Sequence, residues 1–230
     1  MTFNTHMTTF ALATVMLGMA AASQAQTIIT YDNTTTPATG GFSSTDLTRT
    51  WGDSLNMASG GLLDTLSLSL FNSSSANTGA ILAGTFTVNI YDNTTAYTGG
   101  SITGQPLLGS FTGNATFGAG LSAGFFTLLT FTGLSSLNIN LTQNVLITQS
   151  FSQTAGTSLR YGVVGLGNPT VGSSPNTYYL RGATVTEGLY TSGTNPGQFA
   201  YKVGVVPEPA SMTALGLGVA AMMRRRRNRK

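Results

Sequence analysis

Thr85-Phe86-Thr87-Val88-Asn89-Ile90 alternates polar and apolar residues at a strict period of two. Successive side chains of an extended chain point to opposite faces, so Phe86, Val88 and Ile90 line one face and Thr85, Thr87 and Asn89 the other. The same period recurs outward from there. Leu66, Leu68 and Leu70 alternate with Ser67 and Ser69, Leu137, Ile139 and Leu141 with Asn138 and Asn140, and Phe199, Tyr201, Val203 and Val205 with Ala200, Lys202 and Gly204. Each run predicts a strand with one face in a core and one in water. Phe125 to Phe131 is apolar on both faces, which predicts a central strand. Gly, Asn, Ser and Pro clusters at 72–80, 98–106, 113–120, 133–136, 152–158, 165–177 and 191–197 supply turn chemistry between the runs. No long 3.6-residue pattern interrupts them. About ten short strands without helical crossovers predict an all-β fold, an antiparallel β-sandwich of jelly-roll-like type. A membrane barrel would need lipid-facing apolar rows flanked by aromatic girdles, and these strands are too short and too separated for that.

The two ends read differently from the middle. Phe10 to Ala22 is an apolar segment of signal-peptide length, and Ser23-Gln24-Ala25 puts small residues before a cleavage point between Ala25 and Gln26. The expected partners there are the general secretion machinery and signal peptidase. Met1 to Met7 carries no Lys or Arg, which is a weak n-region. At the other end, Pro207-Glu208-Pro209 leads into an apolar stretch that includes Met212, Leu215, Leu217, Val219, Met222 and Met223. A basic stop of Arg224, Arg225, Arg226, Arg227, Arg229 and Lys230 follows. A greasy segment before a basic cluster can stop in the inner membrane with its charge on the cytoplasmic side. The run is short, spanning only ~21 Å at ~1.5 Å per residue against ~30 Å of hydrocarbon. The expected organisation is a signal peptide at 1–25, an exported β-sandwich at 26–205 and a sorting or anchor tail at 206–230, with a transmembrane helix in the precursor.

Six of the ten basic residues lie in that tail. The body keeps Arg49, Arg160, Arg181 and Lys202 against Asp32, Asp46, Asp53, Asp64, Asp92 and Glu187, so four positive charges meet six negative ones for a net of −2. Such a body has no electrostatic footprint for nucleic acid. About 180 residues suffice to bury one core unaided. A surface rich in Thr, Ser, Asn and Gly with few charges suits an extracellular β-protein and raises the tendency to self-associate.

The chain has no cysteine, and His6 is its sole histidine, inside the segment that export removes. The mature body therefore offers neither a Ser-His-Asp or Cys-His site nor the usual zinc and copper ligands. Asp53, Asp64 and Glu187 are what remains for a carboxylate pair. Asp64 starts a strand, and Asp53 follows Trp51-Gly52 as a turn would, so no enzyme and no cofactor is expected. Gly162-Val163-Val164-Gly165-Leu166-Gly167 has the wrong order for a dinucleotide loop and predicts a Gly-containing strand running into Asn168-Pro169. Ile29-Thr30-Tyr31-Asp32-Asn33-Thr34-Thr35 returns as Asn89-Ile90-Tyr91-Asp92-Asn93-Thr94-Thr95. Each copy reads either as a strand ending in an Asx-type turn or as a calcium loop with Asp32 or Asp92 as its one carboxylate. Trp51, Tyr97, Tyr178, Tyr179 and Tyr190 either fill the sandwich or form a sugar-binding face. Trp51, Tyr178 and Tyr179 are the candidate ligand contacts, because adjacent tyrosines in a strand point to opposite faces. Asn33, Asn72, Asn93, Asn114 and Asn140 stand in Asn-x-Ser/Thr sequons, a pattern this composition produces by itself.

The order Pro207-Glu208-Pro209, apolar run, basic cluster resembles the PEP-CTERM sorting signal of exported Gram-negative proteins. The resemblance implies an exosortase that recognises the Pro-Glu-Pro element, cuts near it and releases or re-anchors the body at the cell surface or beyond. The body is similar to the choice-of-anchor domains of R type, through Tyr31-Asp32-Asn33, Trp51, Leu63 to Leu70, Val88-Asn89-Ile90-Tyr91 and Gln105 to Phe111. That family brings no catalytic residues to carry over. The expected function is a non-enzymatic surface or extracellular-matrix protein associated with exopolysaccharide and biofilm. The alternative is a lectin-like carbohydrate-binding module, calcium-dependent in one version.

Overall fold

The computed structural model describes residues 26–35, 38–44, 48–72, 82–117, 126–155, 161–191 and 198–207. Their regular structure is strand and short 3-10 turn: β1 (Ile28–Asp32), β2 (Ala38–Ser44), β3 (Thr50–Asn56), β4 (Gly61–Asn72), β5 (Leu82–Asp92), β6 (Leu107–Phe117), β7 (Phe126–Phe131), β8 (Asn140–Leu141), β9 (Asn144–Ala155), β10 (Tyr161–Leu166), β11 (Thr177–Gly182), β12 (Val185–Thr191) and β13 (Tyr201–Val206). They form two antiparallel sheets packed as a sandwich. One runs β1-β13-β4-β10-β2, with β7 and β8 also pairing with β4, and the other runs β12-β11-β3-β9-β5-β6. The chain changes sheets at most of its connections, so neither sheet is a simple meander. Among the described residues no helix is long and apolar enough to cross a membrane. The signal segment lies outside the described residues, as does the tail apart from Val206 and Pro207.

The alternation seen in the sequence builds the core. Leu66, Leu68 and Leu70 of β4 face Phe86, Val88 and Ile90 of β5 within one cluster, each 0% exposed. Burying a side chain of this size contributes on the order of 2 kcal/mol. Phe86 packs its ring against Phe151 and Phe131 at centroid distances of 4.9 and 6.5 Å. The layer is not wholly apolar. Gln149 of β9 reaches across it and donates from Nε2 to the Ser69 carbonyl of β4 at 3.1 Å, so a buried amide joins the sheets. Gly113 of β6 lies under the Phe131 ring, where a Cβ would collide with it, so the absence of a side chain admits the aromatic contact. Thr27–Val205 form one compact unit, and the whole described core lies within it.

Three expectations change. Leu137 to Leu141 is not one strand. Leu134–Leu137 forms a 3-10 turn between left-handed Gly133 and Asn138, leaving Leu137 exposed and only Asn140–Leu141 paired with β4. Asn tolerates the positive φ that ends the turn, and Ile139 still reaches the core. β7 is not central either: among the described strands it pairs with β4 alone, and only its Leu129 and Phe131 pack on the core. Phe126 and Leu128 on its other face stay exposed. Asp53 occupies no turn but the middle of β3, fully buried, where Tyr178 and Ile147 are its neighbours across the ladder. Gly52 serves close packing there, since a Cβ would stand 2.8 Å from the Ile147 carbonyl.

Truncating Phe86 to Ala is expected to cost about 3–5 kcal/mol, the usual range for a large buried aromatic. Urea unfolding followed by far-UV circular dichroism checks this. The same spectrum should be β-rich with almost no helix.

Candidate functional site

The sequence echo turns out to be one local structure used twice. In the first copy Asp32 Oδ1 accepts from the Thr34 amide at 2.8 Å and from its hydroxyl at 2.7 Å. In the second, Asp92 Oδ1 accepts from the Thr94 amide at 3.0 Å and hydroxyl at 2.6 Å. Both are Asx-type turns that end a strand. The Asp92 carboxyl is held below the usual range first by the Thr94 hydroxyl and amide. At Asp32, burial alone would raise the pKa, and Lys202 at 2.8 Å from Oδ2 together with Thr34 brings it down. Asp32 spends Oδ1 on Thr34 and Oδ2 on Lys202, and Asp92 spends Oδ1 on Thr94 and on the Thr142 hydroxyl. Among the described residues no three His, Asp or Glu side chains come together as a metal-holding group.

The asparagine after each aspartate distinguishes the two copies. Asn93 Oδ1 accepts from the Tyr97 amide at 2.7 Å, which folds its own loop back on itself. Asn33 is buried and clamps a distant segment: its Nδ2 donates to the Phe199 carbonyl at 2.5 Å and its Oδ1 accepts from the Tyr201 amide at 2.8 Å. Asp53 grips the same segment from the other sheet. Its Oδ2 accepts from the Phe199 amide and its Oδ1 from the Ser174 hydroxyl, each at 2.9 Å. The loop carrying Ser174 is also bonded to both sheets, through Asp32 with Val171 and Asn56 with Ser173. Between them Gly172 adopts φ +77, against the Tyr31 ring. Burial holds the Asp53 carboxyl well above the usual carboxylate range, partly offset by the Phe199 amide, Ser174 and the Ser54 amide. Burial, then Asp53, also raises the nearby Tyr31 hydroxyl.

The candidate ligand-binding aromatics are covered rather than displayed. Trp51 is 3% exposed and sits among Phe42, Tyr178 and Phe199, with ring centroids 6.0–6.4 Å away. The Arg49 guanidinium lies 5.7 Å from its ring. Tyr178 packs half-buried on the same cluster and stacks on Tyr190 at 6.0 Å. Tyr179 does point to the opposite face, as the strand period requires, but that face carries a second small core of Tyr97, Ile102, Leu146 and Tyr179. Glu187 ties that core down, accepting from the Ile102 amide at 2.7 Å and the Tyr179 hydroxyl at 2.9 Å. Of the two readings open for Trp51, Tyr97 and Tyr179, their burial matches the one in which they fill the sandwich, with loop 93–105 and the 198–201 segment folded over them. Asp64, the last described carboxylate, accepts from Thr27 at 2.5 Å and Ser135 at 2.9 Å.

The sorting tripeptide begins directly after the last described strand. β13 ends at Val206, and Pro207 is the last described residue, so Glu208, Pro209, the apolar residues and the basic cluster lie outside the described residues, as does Ala25. The chain is thus a β-sandwich continued by a linear C-terminal motif. A family model described as the PEP-CTERM protein-sorting motif matches residues 205–227. The match supports export, a membrane-anchored precursor and sorting through an exosortase. No curated protein matches the sequence. Among solved structures, the structure of infectious bursal disease virus Gx strain is 14% identical, with 89% of this chain and 48% of that chain covered and a TM-score of 0.24. The chain spans about half the length of that protein.

Asp53 makes stability depend on pH in a definite direction. A carboxyl whose folded pKa is raised contributes fully below the unfolded value of about 4, and the contribution is lost as pH rises through the folded value. Asp53→Asn can still accept from the Phe199 amide and donate to Ser174. It is expected to melt above the wild type at neutral pH, with the gap closing as pH falls towards about 4. Asp53→Ala, which strands those donors, should destabilise by about 3 kcal/mol. Thermal melts of the three proteins across pH decide both points.

Proposed function

We propose that the protein is a non-enzymatic component of the cell surface or extracellular matrix, associated with exopolysaccharide. In this reading the inner membrane holds its precursor by the tail, and an exosortase processes it at Pro207-Glu208-Pro209. The observation that carries the reading is the sorting-motif match at 205–227, starting in the last strand of the sandwich. The state of the acidic groups supports a body without catalysis. Asp32, Asp53, Asp64, Asp92 and Glu187 each hold a turn, a loop or a neighbouring strand through the hydrogen bonds described above. Burial of Trp51 and Tyr179 weighs against the lectin-like alternative.

The fold also limits where a protease can cut. A peptidase needs an extended, unpaired segment, whereas Tyr201, Val203 and Val205 are at most 1% exposed and β13 is bonded to β1 and β4. Hydrolysis before Val206 would require β13 to leave the sheet, so the scissile bond is expected C-terminal to Val206. Mass spectrometry of the exported form should find a C-terminus between 206 and the apolar run. A terminus still ending in Arg229-Lys230 in exosortase-positive cells would overturn the processing. Glu208→Ala is expected to leave a membrane-retained precursor.

A further inference from the structure

β6 is the last strand of its sheet: it pairs with β5, and no described strand pairs with its outer edge. Its register is regular from Gly109 to Phe117, with Phe111 and Ala115 facing the core and Ser110, Thr112 and Asn114 facing out. An open edge is a row of unsatisfied amides and carbonyls, which proteins blunt with charges, prolines, bulges or a covering segment. Leu107–Phe117 contains no charge and no proline. Indeed residues 93–159 contain no Asp, Glu, Lys, Arg or His at all, so the strands around this edge, β7 and β9 included, are equally uncharged. A groove of about 490 Å³ runs beside β6, between Ser110, Phe111 and Thr112 on one side and Phe131 and the Leu134–Leu137 turn on the other, with Leu137 exposed at its lip.

We propose that this edge is a self-association surface, on which β6 of a second copy of the chain pairs antiparallel about a two-fold axis at Thr112, the middle of the strand. A strand edge is recognised by another strand, because only an extended backbone supplies donors and acceptors at the matching spacing. A second copy fits for two reasons. Antiparallel pairing about a two-fold axis is self-complementary, each partner offering the groups the other lacks. Two copies normally meet like charge against like charge, and here there is none to meet. Thr112 would face its own mate and Ser110 would face Asn114, so hydroxyls and amides meet across the axis. The six strands of each copy would join into one sheet of twelve.

The test is the mass in solution of the sandwich, residues 26–207, by analytical ultracentrifugation at micromolar concentrations, with circular dichroism to confirm that every variant is folded. The wild type is expected at twice the monomer mass. Thr112→Lys and Thr112→Glu, which place like charges against each other on the axis, are each expected at the monomer mass. An equal mixture of the two should return to the dimer at low salt. A wild type that stays monomeric, as a groove serving a glycan or a foreign peptide would leave it, overturns the proposal. So does a dimer that both substitutions leave intact, and a mixture that stays monomeric overturns the pairing centred on Thr112.

Discussion

The segment Phe199 to Tyr201 is held by two side chains from opposite sheets, and the C-terminal end of the sandwich depends on that grip. Asn33, just past β1, satisfies the Phe199 carbonyl and the Tyr201 amide, while Asp53 of β3 satisfies the Phe199 amide. The segment leads into β13, which lies between β1 and β4, so its position sets whether the last strand reaches its slot. Phe199 itself then caps Trp51, Phe42 and Tyr178. A buried carboxylate is costly unless its lone pairs are met, and here a backbone amide and a hydroxyl meet them. A neutral amide at position 53 could accept from the Phe199 amide and donate to Ser174 without the cost of burying a charge. The aspartate therefore sets a pH dependence that the architecture does not itself require.

Much of this fold is legible in the chain because a period of two is a local property. Phe86, Val88 and Ile90, or Leu66, Leu68 and Leu70, announce an inner face wherever their strand sits. Which strands become edges is settled by partners far away in sequence, so β7 reads as central from its composition and lies beside β4 alone among the described strands. Gly52-Asp53 reads as a turn for a related reason. The glycine is needed because β9 comes within 2.8 Å of where its Cβ would be, and the aspartate because a segment about 146 residues away needs an acceptor. Neither need leaves a local trace. The Asp-Asn-Thr echo is the opposite case, since an Asx turn closes within two residues and can be read directly.

The aromatics show why candidate sites are harder than folds. Trp51, Tyr178 and Tyr179 combine a large apolar area with a polar handle, which suits a sugar platform and a core equally. Their fate depends on whether some other segment covers them. Loop 93–105 covers Tyr179 and the Phe199 segment covers Trp51, through contacts that no spacing in the β11 sequence foretells. The sorting motif is legible without any fold because it is read as a linear order of residues.

Charge placement connects the two halves of this chain. The tail concentrates six of the ten basic residues, while the stretch 93–159 has no ionisable acid or base other than Tyr97. A strongly charged body would repel its copies and stay dispersed. A sandwich of net −2, with its described acids spent on internal turns and clamps, has little electrostatic reason to remain apart from its neighbours once the basic tail is gone. In the matrix role proposed above that would be a usable property, because association through uncharged strand edges and hydroxyl-rich faces depends little on salt. Its strength would then be set by backbone pairing at the edge, which makes the geometry of β6, more than any single surface residue, the feature on which such behaviour would turn.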